Sequence, residues 1–167
     1  MSDIRCRLMT SDDVETASKV VLTSFEEYIA PEYTPVGVEA FRKYAAAEAL
    51  RERAGEGHFV IVATITNSVV GMIEFRHSDH VALLFVDKAF HRQGVARVLL
   101  EHGLTEARKR EPNVERVTVN STRFGVRAYE KLGFLRTGPE RSVNGIVFIP
   151  MAMRLNTASS TTARTSG

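Results

Sequence analysis

The segment over residues 81–110 joins a short apolar run, a glycine turn and a long helical pattern. The run VALLFV, Val81–Val86, has the length and composition of a buried strand. After a turn at Gly94, apolar side chains recur at helical spacing until Pro112, which predicts a helix over residues 95–110. This order of strand, turn and helix is typical of an α/β protein whose helix packs back on the sheet.

The turn HRQGVA has the features of an anion-binding site at the start of a helix. The first helical turn has N–H groups without intrahelical acceptors and a partial positive charge. Gly94 lets a ligand approach the backbone, and Ala96 is nearly as small. Arg92 and Arg97 add positive charge. We therefore expect a phosphate-binding turn; the alternative from these residues alone is a glycine that only keeps the turn tight.

The rest of the chain alternates helix and strand signals. We predict helices over residues 12–29, 36–53 and about 124–132, and strands over 58–65, 69–75, 81–86, 115–120, from 134 onward and over 145–155. Residues 66–68 should join the first two strands in a hairpin. The order favours an α/β fold with a mixed α+β sheet rather than a doubly wound repeat.

Composition and charge narrow the class of protein. We expect one domain over residues 1–155 and a disordered Ser/Thr-rich tail over 156–167. No apolar run approaches the ~18 residues of a membrane span, and Cys6 has no disulfide partner, so a cytoplasmic protein without membrane contact is expected. Residues 1–87 hold 8 basic and 14 acidic side chains, whereas residues 88–136 hold 11 and 5. The second segment therefore suits a small polyanion, and a net charge of +2 makes nucleic-acid binding unexpected.

Other phosphate and metal motifs fit poorly. The chain has neither Gly-x-x-x-x-Gly-Lys-[Ser/Thr] nor Gly-x-Gly-x-x-Gly after a strand, which argues against a P-loop and a Rossmann dinucleotide site. His77 and His80 have a metal-ligand spacing but no clear third ligand, so no metal is expected.

Two blocks of the sequence resemble the GNAT superfamily of N-acetyltransferases. LLFVDKAFHRQGVARVLLEHGL is similar to the acetyl-CoA motif, in which a strand leads into a [Gln/Arg]-x-x-Gly-x-[Gly/Ala] turn. VNSTRFGVRAYEKLGF is similar to the strand-helix block that ends in Tyr-x-x-x-Gly-Phe, and NGIVFIPMAMRL to the last strand of small bacterial members. The resemblance covers residues 4–155. It implies a central mixed, mostly antiparallel sheet, splayed at the cofactor site, with helices on both faces.

The resemblance implies acetyl-CoA as the cosubstrate. Its pyrophosphate would bind backbone N–H groups of the turn, and its pantetheine arm would pair with the preceding strand. The implied cofactor-binding residues are Leu84, Phe85, Val86, His91, Arg92, Gln93, Gly94, Val95, Ala96, Arg97, Asn120 and Ser121. His91 stands where the family has Gln or Arg, so we expect the backbone rather than this side chain to bind. Asn120 and Ser121 could instead be turn formers. For the 3′-phosphate the basic candidates are Arg92, Arg97, Arg123, Arg127 and Lys131.

The resemblance also implies direct acetyl transfer to a primary amine in a ternary complex. Tyr129 would be the general acid that protonates the departing thiolate, or else a tyrosine packed on a helix face. Glu74 and His80 are the candidate bases, or else a solvated strand carboxylate and a turn histidine. If a chain of water molecules removes the proton from the amine, neither residue is needed as the base. Cys6 is distant in sequence from both motifs, so an acyl-enzyme is not expected.

The acceptor end should be built by the first two helices and the loop over residues 29–37. This region is acidic through Glu26, Glu27, Glu32 and Glu39, which suggests a cationic acceptor such as a polyamine, an amino sugar, or a lysine or N-terminal amine. Tyr28 and Tyr33 either line this pocket or pack the helix pair. The alternatives are a catalytically silent acyl-CoA sensor on the same fold and a nucleotide-phosphate binder. A homodimer is compatible with the resemblance.

Overall fold

Eight strands form a mixed sheet in the computed structural model, which describes residues 3–155. The strands are β1 (Ile4–Leu8), β2 (His58–Ile65), β3 (Ser68–Arg76), β4 (His80–Val86), β5 (Arg116–Ser121), β6 (Leu135–Arg136), β7 (Arg141–Val143) and β8 (Ile146–Arg154). The helices are α1 (Val14–Tyr28), α2 (Pro35–Ala45), α3 (Ala47–Ala54), α4 (Val95–Arg110) and α5 (Val126–Leu132). The strand order is β1-β2-β3-β4-β5-β8-β6, with β7 paired to β8. The predicted fold class is confirmed, and the predicted tail over residues 156–167 lies outside the described residues.

The β2–β3 hairpin forms where the sequence predicts it. Its two loop residues, Thr66 and Asn67, have φ angles of 52° and 65°. Positive φ at both positions is the signature of a primed turn, whose twist matches that of the flanking strands. Both strands are buried along almost their whole length because helices cover both faces of the sheet.

β4 and β5 are parallel neighbours that soon separate. They pair only at His80–Thr118 and Val81–Val119, whereas the other strand pairs are antiparallel. The parallel direction follows from the crossover through α4. From Ala82 onward, the edge of β4 that faces β5 has no ladder partner. This is the splayed opening that the family resemblance implies.

Helices cover the two faces of the sheet with separate cores. α4 packs on one face, where Leu99, Phe75 and Phe134 are fully buried. Gly103 permits this close approach, since a Cβ there would lie 2.5 Å from Cε1 of Phe75. α1, α2 and α3 cover the other face over a core that includes Met72. None of the helices within residues 3–155 is long and apolar enough to cross a membrane.

The second predicted helix, residues 36–53, is in fact two helices, so that prediction is wrong in its continuity. Ala46 is extended, with φ −61° and ψ 147°, and separates α2 from α3. The hydroxyl of Ser18 donates to the carbonyl of Ala45 at 2.7 Å, which occupies the end of α2. Ala45 and Leu50 would lie about 140° apart on one continuous helix. The break lets both side chains enter the same core.

Two other features differ from the sequence prediction. β1 is an edge strand that was not predicted, because its segment IRCRL is short and alternating. α5 begins at Val126 rather than near Phe124, because Gly125 N–H donates to the side chain of Thr122 at 2.9 Å in a preceding turn. Gly133 ends α5 in a left-handed conformation, with φ 109°.

Candidate active site

The turn after β4 presents a row of free backbone donors. Gly94 has a left-handed backbone (φ 83°, ψ 9°), and α4 begins at the next residue. In the described part of the chain, nothing accepts a hydrogen bond from the N–H groups of Val95, Ala96 and Arg97. A Cβ at Gly94 would meet no heavy atom within 4 Å, so the space beside the turn is open. This geometry fits the pyrophosphate site that the sequence predicts.

The side chains and the backbone edge of β4, the strand that leads into the turn, face different surroundings. Leu84 and Val86 pack against the core under α4, and Phe85 packs against the core under α1. Their backbone edge towards β5 lies in the splayed opening. A ligand that enters the opening therefore meets main-chain groups of β4.

The His91 side chain folds back onto the end of β4. Its Nε2 atom lies 2.8 Å from the carbonyl oxygen of Val86. A carbonyl oxygen only accepts, so Nε2 carries the proton in this contact. This contact agrees with the expectation that the backbone, rather than the His91 side chain, forms the anion site.

Asn120 and Ser121 lie at the end of β5 and point to opposite faces. Ser121 is buried, and its hydroxyl donates to the carbonyl of Thr122 at 2.7 Å. Asn120 is exposed. Of the two, Asn120 therefore has the amide free for a ligand, whereas the Ser121 hydroxyl proton is already committed.

Tyr129 projects from α5 towards the same core. Its ring packs edge-on against Phe134, with ring centroids 5.3 Å apart. Gly125 leaves room for the ring, since a Cβ there would lie 3.4 Å from Cε2 of Tyr129. Burial raises the pKa of the Tyr129 phenol above its usual value, so the phenol stays protonated at neutral pH.

Glu74 is fully buried, so its interpretation as a solvated strand carboxylate is wrong. Arg53 donates to both carboxylate oxygens, at 2.7 Å and 2.9 Å, and Nδ1 of His58 lies 2.6 Å from Oε2. The Arg53 guanidinium also stacks over the ring of Tyr44, 3.6 Å from its centroid. A carboxylate held in this way forms an ion pair beneath α3, which disfavours the base role predicted for it. Arg53 carried no signal in the sequence, because the contact spans 21 residues.

His80 occupies the point where β4 and β5 begin to separate. It pairs with Thr118 in the ladder, and its Nδ1 atom lies 2.7 Å from the Thr118 hydroxyl. Burial, followed by the positive charge of Arg76, lowers the pKa of His80 to about 4. The imidazole is therefore neutral at physiological pH. In residues 3–155, no group of three potential ligands converges to hold a metal ion.

Several predicted basic residues are committed to other contacts. Arg97 donates to the carbonyl of Lys131 at 2.9 Å and so ties α4 to the end of α5. Arg123 makes a two-fold contact with Glu140, at 2.6 Å for each hydrogen bond. Arg92, in a left-handed conformation with φ 65°, is exposed beside the turn. Arg92 thus has the more suitable position for contact with an anionic ligand.

The four acidic residues at the predicted acceptor end differ in their partners. Glu26 is paired with Arg42 at 2.7 Å, and Glu27 with Lys88 at 3.1 Å. Glu39 is exposed on α2. Glu32 has a buried Oε1 atom that no hydrogen-bond donor contacts.

An aromatic stack that the sequence did not signal links the two sides of the opening. The rings of Tyr28, at the end of α1, and Phe124, after β5, lie 4.5 Å apart and nearly parallel. The ring of His91 is 6.2 Å from that of Tyr28. Tyr33, by contrast, packs edge-on against Phe25 at 5.5 Å, so the packing alternative holds for it. The stack joins residues almost 100 positions apart, which single-sequence patterns do not reveal.

The comparisons with known proteins agree with this geometry. Residues 29–155 match the family model described as the acetyltransferase (GNAT) domain. The chain therefore belongs to the GNAT acetyltransferase family. No curated protein sequence matches the chain significantly.

Solved structures show the same fold at low sequence identity. A GCN5-related N-acetyltransferase from Rhodopseudomonas palustris is 20% identical, with a TM-score of 0.78 over 93% of this chain and 98% of the other. The PaiA N-acetyltransferase from Thermoplasma acidophilum, solved in complex with coenzyme A, is 19% identical, with a TM-score of 0.73 over 92% and 99%. The ribosomal-protein-S18-alanine N-acetyltransferase from Escherichia coli is 18% identical, with a TM-score of 0.64 over 93% and 96%.

Proposed function

We propose that the protein is an acetyl-CoA-dependent N-acetyltransferase that transfers the acetyl group directly to a primary amine in a ternary complex. The observation that carries this proposal is the combination of free N–H groups at the start of α4 with the adjacent splayed edge of β4. The first suits a pyrophosphate, and the second suits an extended arm with amide groups. The solved coenzyme A complex of a protein with the same fold supports this choice of cosubstrate.

The residues of the turn and the two strands would divide the binding of acetyl-CoA. The N–H groups after Gly94 would hold the pyrophosphate, with Arg92 beside them. The backbone of Leu84–Val86 would pair with the pantetheine amides, and the exposed Asn120 amide would bind from the β5 side. In this arrangement the acetyl group lies inside the opening, between the cofactor turn and α5.

The reaction needs a neutral amine and stabilisation of the departing sulfur. The amine nitrogen attacks the thioester carbonyl, the C–N bond forms and the C–S bond breaks. The nitrogen loses one proton to a base or to water, and the departing thiolate takes one proton from solvent. Tyr129 donates its O–H to the sulfur as charge develops. Because a thiolate is a weaker base than a phenolate, the hydrogen bond rather than complete transfer supplies most of the stabilisation.

Of the two candidate bases, His80 has the more suitable environment. It is neutral at physiological pH and lies at the origin of the opening, whereas both oxygens of Glu74 are engaged by Arg53. A covalent route through Cys6 is disfavoured because burial raises the pKa of its thiol to about 11. The unpaired thiol also favours a reducing compartment such as the cytoplasm.

A thermal-shift experiment with acetyl-CoA, coenzyme A and ATP in parallel tests the cosubstrate. Ligand at 100 times Kd stabilises the folded state by ~2.7 kcal/mol, which corresponds to roughly 5–10 °C for a domain of this size. We expect this shift with both CoA species and not with ATP. The absence of a shift with either CoA species would overturn the proposal.

Release of free thiol from acetyl-CoA in the presence of a panel of primary amines then tests transfer. Amine-dependent release supports the enzyme. CoA binding without release with any amine in the panel would favour the acyl-CoA sensor instead. A shift with ATP would favour a nucleotide-phosphate binder.

A further inference from the structure

Glu32 carries the buried side-chain oxygen within residues 3–155 that has no hydrogen-bond partner. Its Oε1 atom is buried and contacts no hydrogen-bond donor. Burying a polar atom without a partner is costly, and such atoms are uncommon in native proteins. The position therefore calls for a donor that the chain itself does not supply.

The basic side chain that interacts electrostatically with Glu32 is already paired elsewhere. The hydrogen bond with Glu140 is the main cause of the raised pKa of Arg123, and the charge of Glu32 adds a smaller contribution, so Glu32 and Arg123 interact electrostatically. The Arg123 guanidinium, however, donates to both oxygens of Glu140. Glu26 and Glu27, six and five residues before Glu32, each have a basic partner of their own. Of these three acids, Glu32 is the one with a buried oxygen that no donor in residues 3–155 contacts.

Contacts on both sides fix the loop that carries Glu32. The N–H of Thr34 donates to the carbonyl of Gly145 at 3.2 Å, and Gly37 lies directly against Gly145. Tyr33 is half-buried and packs against Phe25, and burial, followed by the charge of Glu32, raises the pKa of Tyr33 to about 12. A loop tied to the β7–β8 turn in this way holds the carboxylate in place.

The segments that carry Glu32 and Arg123 are in contact with each other. The Tyr28–Phe124 stack brings the end of α1 against the segment after β5, and Glu32 and Arg123 belong to those same two segments. The ring of Tyr28 is also 6.2 Å from that of His91 in the cofactor turn. The stacked rings therefore connect the surroundings of Glu32 with the predicted acetyl-CoA site, and aromatic faces also favour cations.

We propose that Glu32 binds a second, positively charged group of the acceptor, separate from the nitrogen that is acetylated. This inference rests on the proposed acetyltransferase function. The reacting nitrogen must be neutral to attack, and an ion pair with a buried carboxylate would keep it protonated. A second ammonium has no such restriction and supplies the missing donor. The acceptor class is thus a small aliphatic amine that carries a second ammonium group.

The test compares E32Q with two matched variants, using 1,4-diaminobutane and butylamine as probes. E101Q removes an exposed carboxylate of α4. E27Q removes the acid that, with Tyr28 and Lys88, lines a cavity of about 320 Å³ beside α1. Binding of each probe is measured by calorimetry with coenzyme A at saturation, and KM is measured with acetyl-CoA. Because the binding measurement does not depend on turnover, loss of catalysis does not imitate loss of the amine site.

We expect E32Q to weaken the binding of 1,4-diaminobutane and raise its KM by about tenfold or more, which is typical for one charge-assisted contact. The KM values for butylamine and acetyl-CoA should change less than twofold, and E101Q should match the wild type. The melting temperature of E32Q should not fall, because glutamine removes an unpaired charge; a purely structural role for Glu32 would lower it.

Three results would overturn the inference. One is an equal change for both probes in E32Q, and another is a selective loss in E27Q instead, which would place the acceptor in the cavity beside α1. The third is that the wild-type protein binds coenzyme A and acetylates butylamine but shows no preference for the diamine. That result would overturn this inference and leave the proposed function intact. Failure to bind coenzyme A would instead overturn the proposed function itself, so the two failures are distinguishable.

Discussion

The two ends of the candidate site are built in different ways. The cofactor end uses consecutive residues, with β4, the turn at Gly94 and the start of α4 following one another in the chain. Its predicted ligand contacts are mainly backbone groups. The proposed acceptor end gathers Tyr28 and Glu32, Phe124, and the Gly145 turn from three segments that are distant in sequence. A cosubstrate shared by a family can be bound by backbone groups of one continuous segment. The choice among acceptors instead depends on side chains that come from separate segments.

The largest effect is expected at Tyr129, the side chain that the proposed function places beside the departing sulfur. We expect Tyr129→Phe to lower kcat by about 100- to 1,000-fold, the usual effect of losing one donor to a developing charge. The affinity for coenzyme A should stay within twofold. Steady-state kinetics and calorimetry check this. Because the raised pKa keeps the phenol protonated, wild-type kcat should not fall through Tyr129 ionisation below pH 10. A loss of affinity equal to the loss of kcat would contradict the acid role.

His80, at the origin of the opening, should make the stability of the protein depend on pH. Its pKa falls from 6.5 to about 4 on folding, so the unfolded chain binds more protons between these pH values. The contribution of neutral His80 to the free energy of unfolding should therefore be fully present above pH 6.5. It should be lost as the pH falls towards 4, which is a decrease of about 3 kcal/mol. Urea unfolding of the wild type and His80→Gln at pH 7 and pH 4.5 measures this. The loss of stability between pH 7 and pH 4.5 should persist in His102→Gln, which changes an exposed histidine of α4. If His80→Gln showed the same loss as the wild type, His80 would not be its cause.

Gly94 tests whether the cofactor end depends on the backbone. Gly94→Ala puts a side chain at φ 83°, which costs about 1–2 kcal/mol, and places a Cβ in the open space of the turn. We expect the Kd for coenzyme A to rise about 30-fold, as measured by calorimetry. Gly57→Ala, at φ 92° between α3 and β2, carries a comparable strain away from the turn. If both variants weakened coenzyme A binding equally, strain rather than the anion site would be responsible.

The smallest effect should come from the aromatic stack at the acceptor end. A double-mutant cycle of Tyr28→Leu and Phe124→Leu should give a coupling of about 1 kcal/mol in the free energy of unfolding, the usual value for such a pair. Neither variant should change the Kd for coenzyme A more than about threefold. Additive effects on unfolding would show that the two rings do not interact in solution.

Local signals predicted most of the fold. The turn residues around Gly94, the αL glycine at position 133 and the β2–β3 hairpin follow from backbone preferences of the residues themselves. The break at Ala46 could not be predicted, because the alanine-rich segment favours a continuous helix and the Ser18 contact comes from 27 residues away. The same holds for Glu74, whose burial depends on Arg53 and His58 from neighbouring elements.

The amino-acid order alone therefore determined the strand-turn-helix unit, the family motif and the position of Tyr129 on its helix. Each depends on side-chain periodicity or on glycine conformations that act over a few residues. Only the tertiary structure decided which acidic residues are paired, which basic residues remain for a ligand and where β4 leaves β5. Those outcomes depend on contacts between segments far apart in the chain, and the free energy of a charge depends on the partners and the burial that such contacts provide.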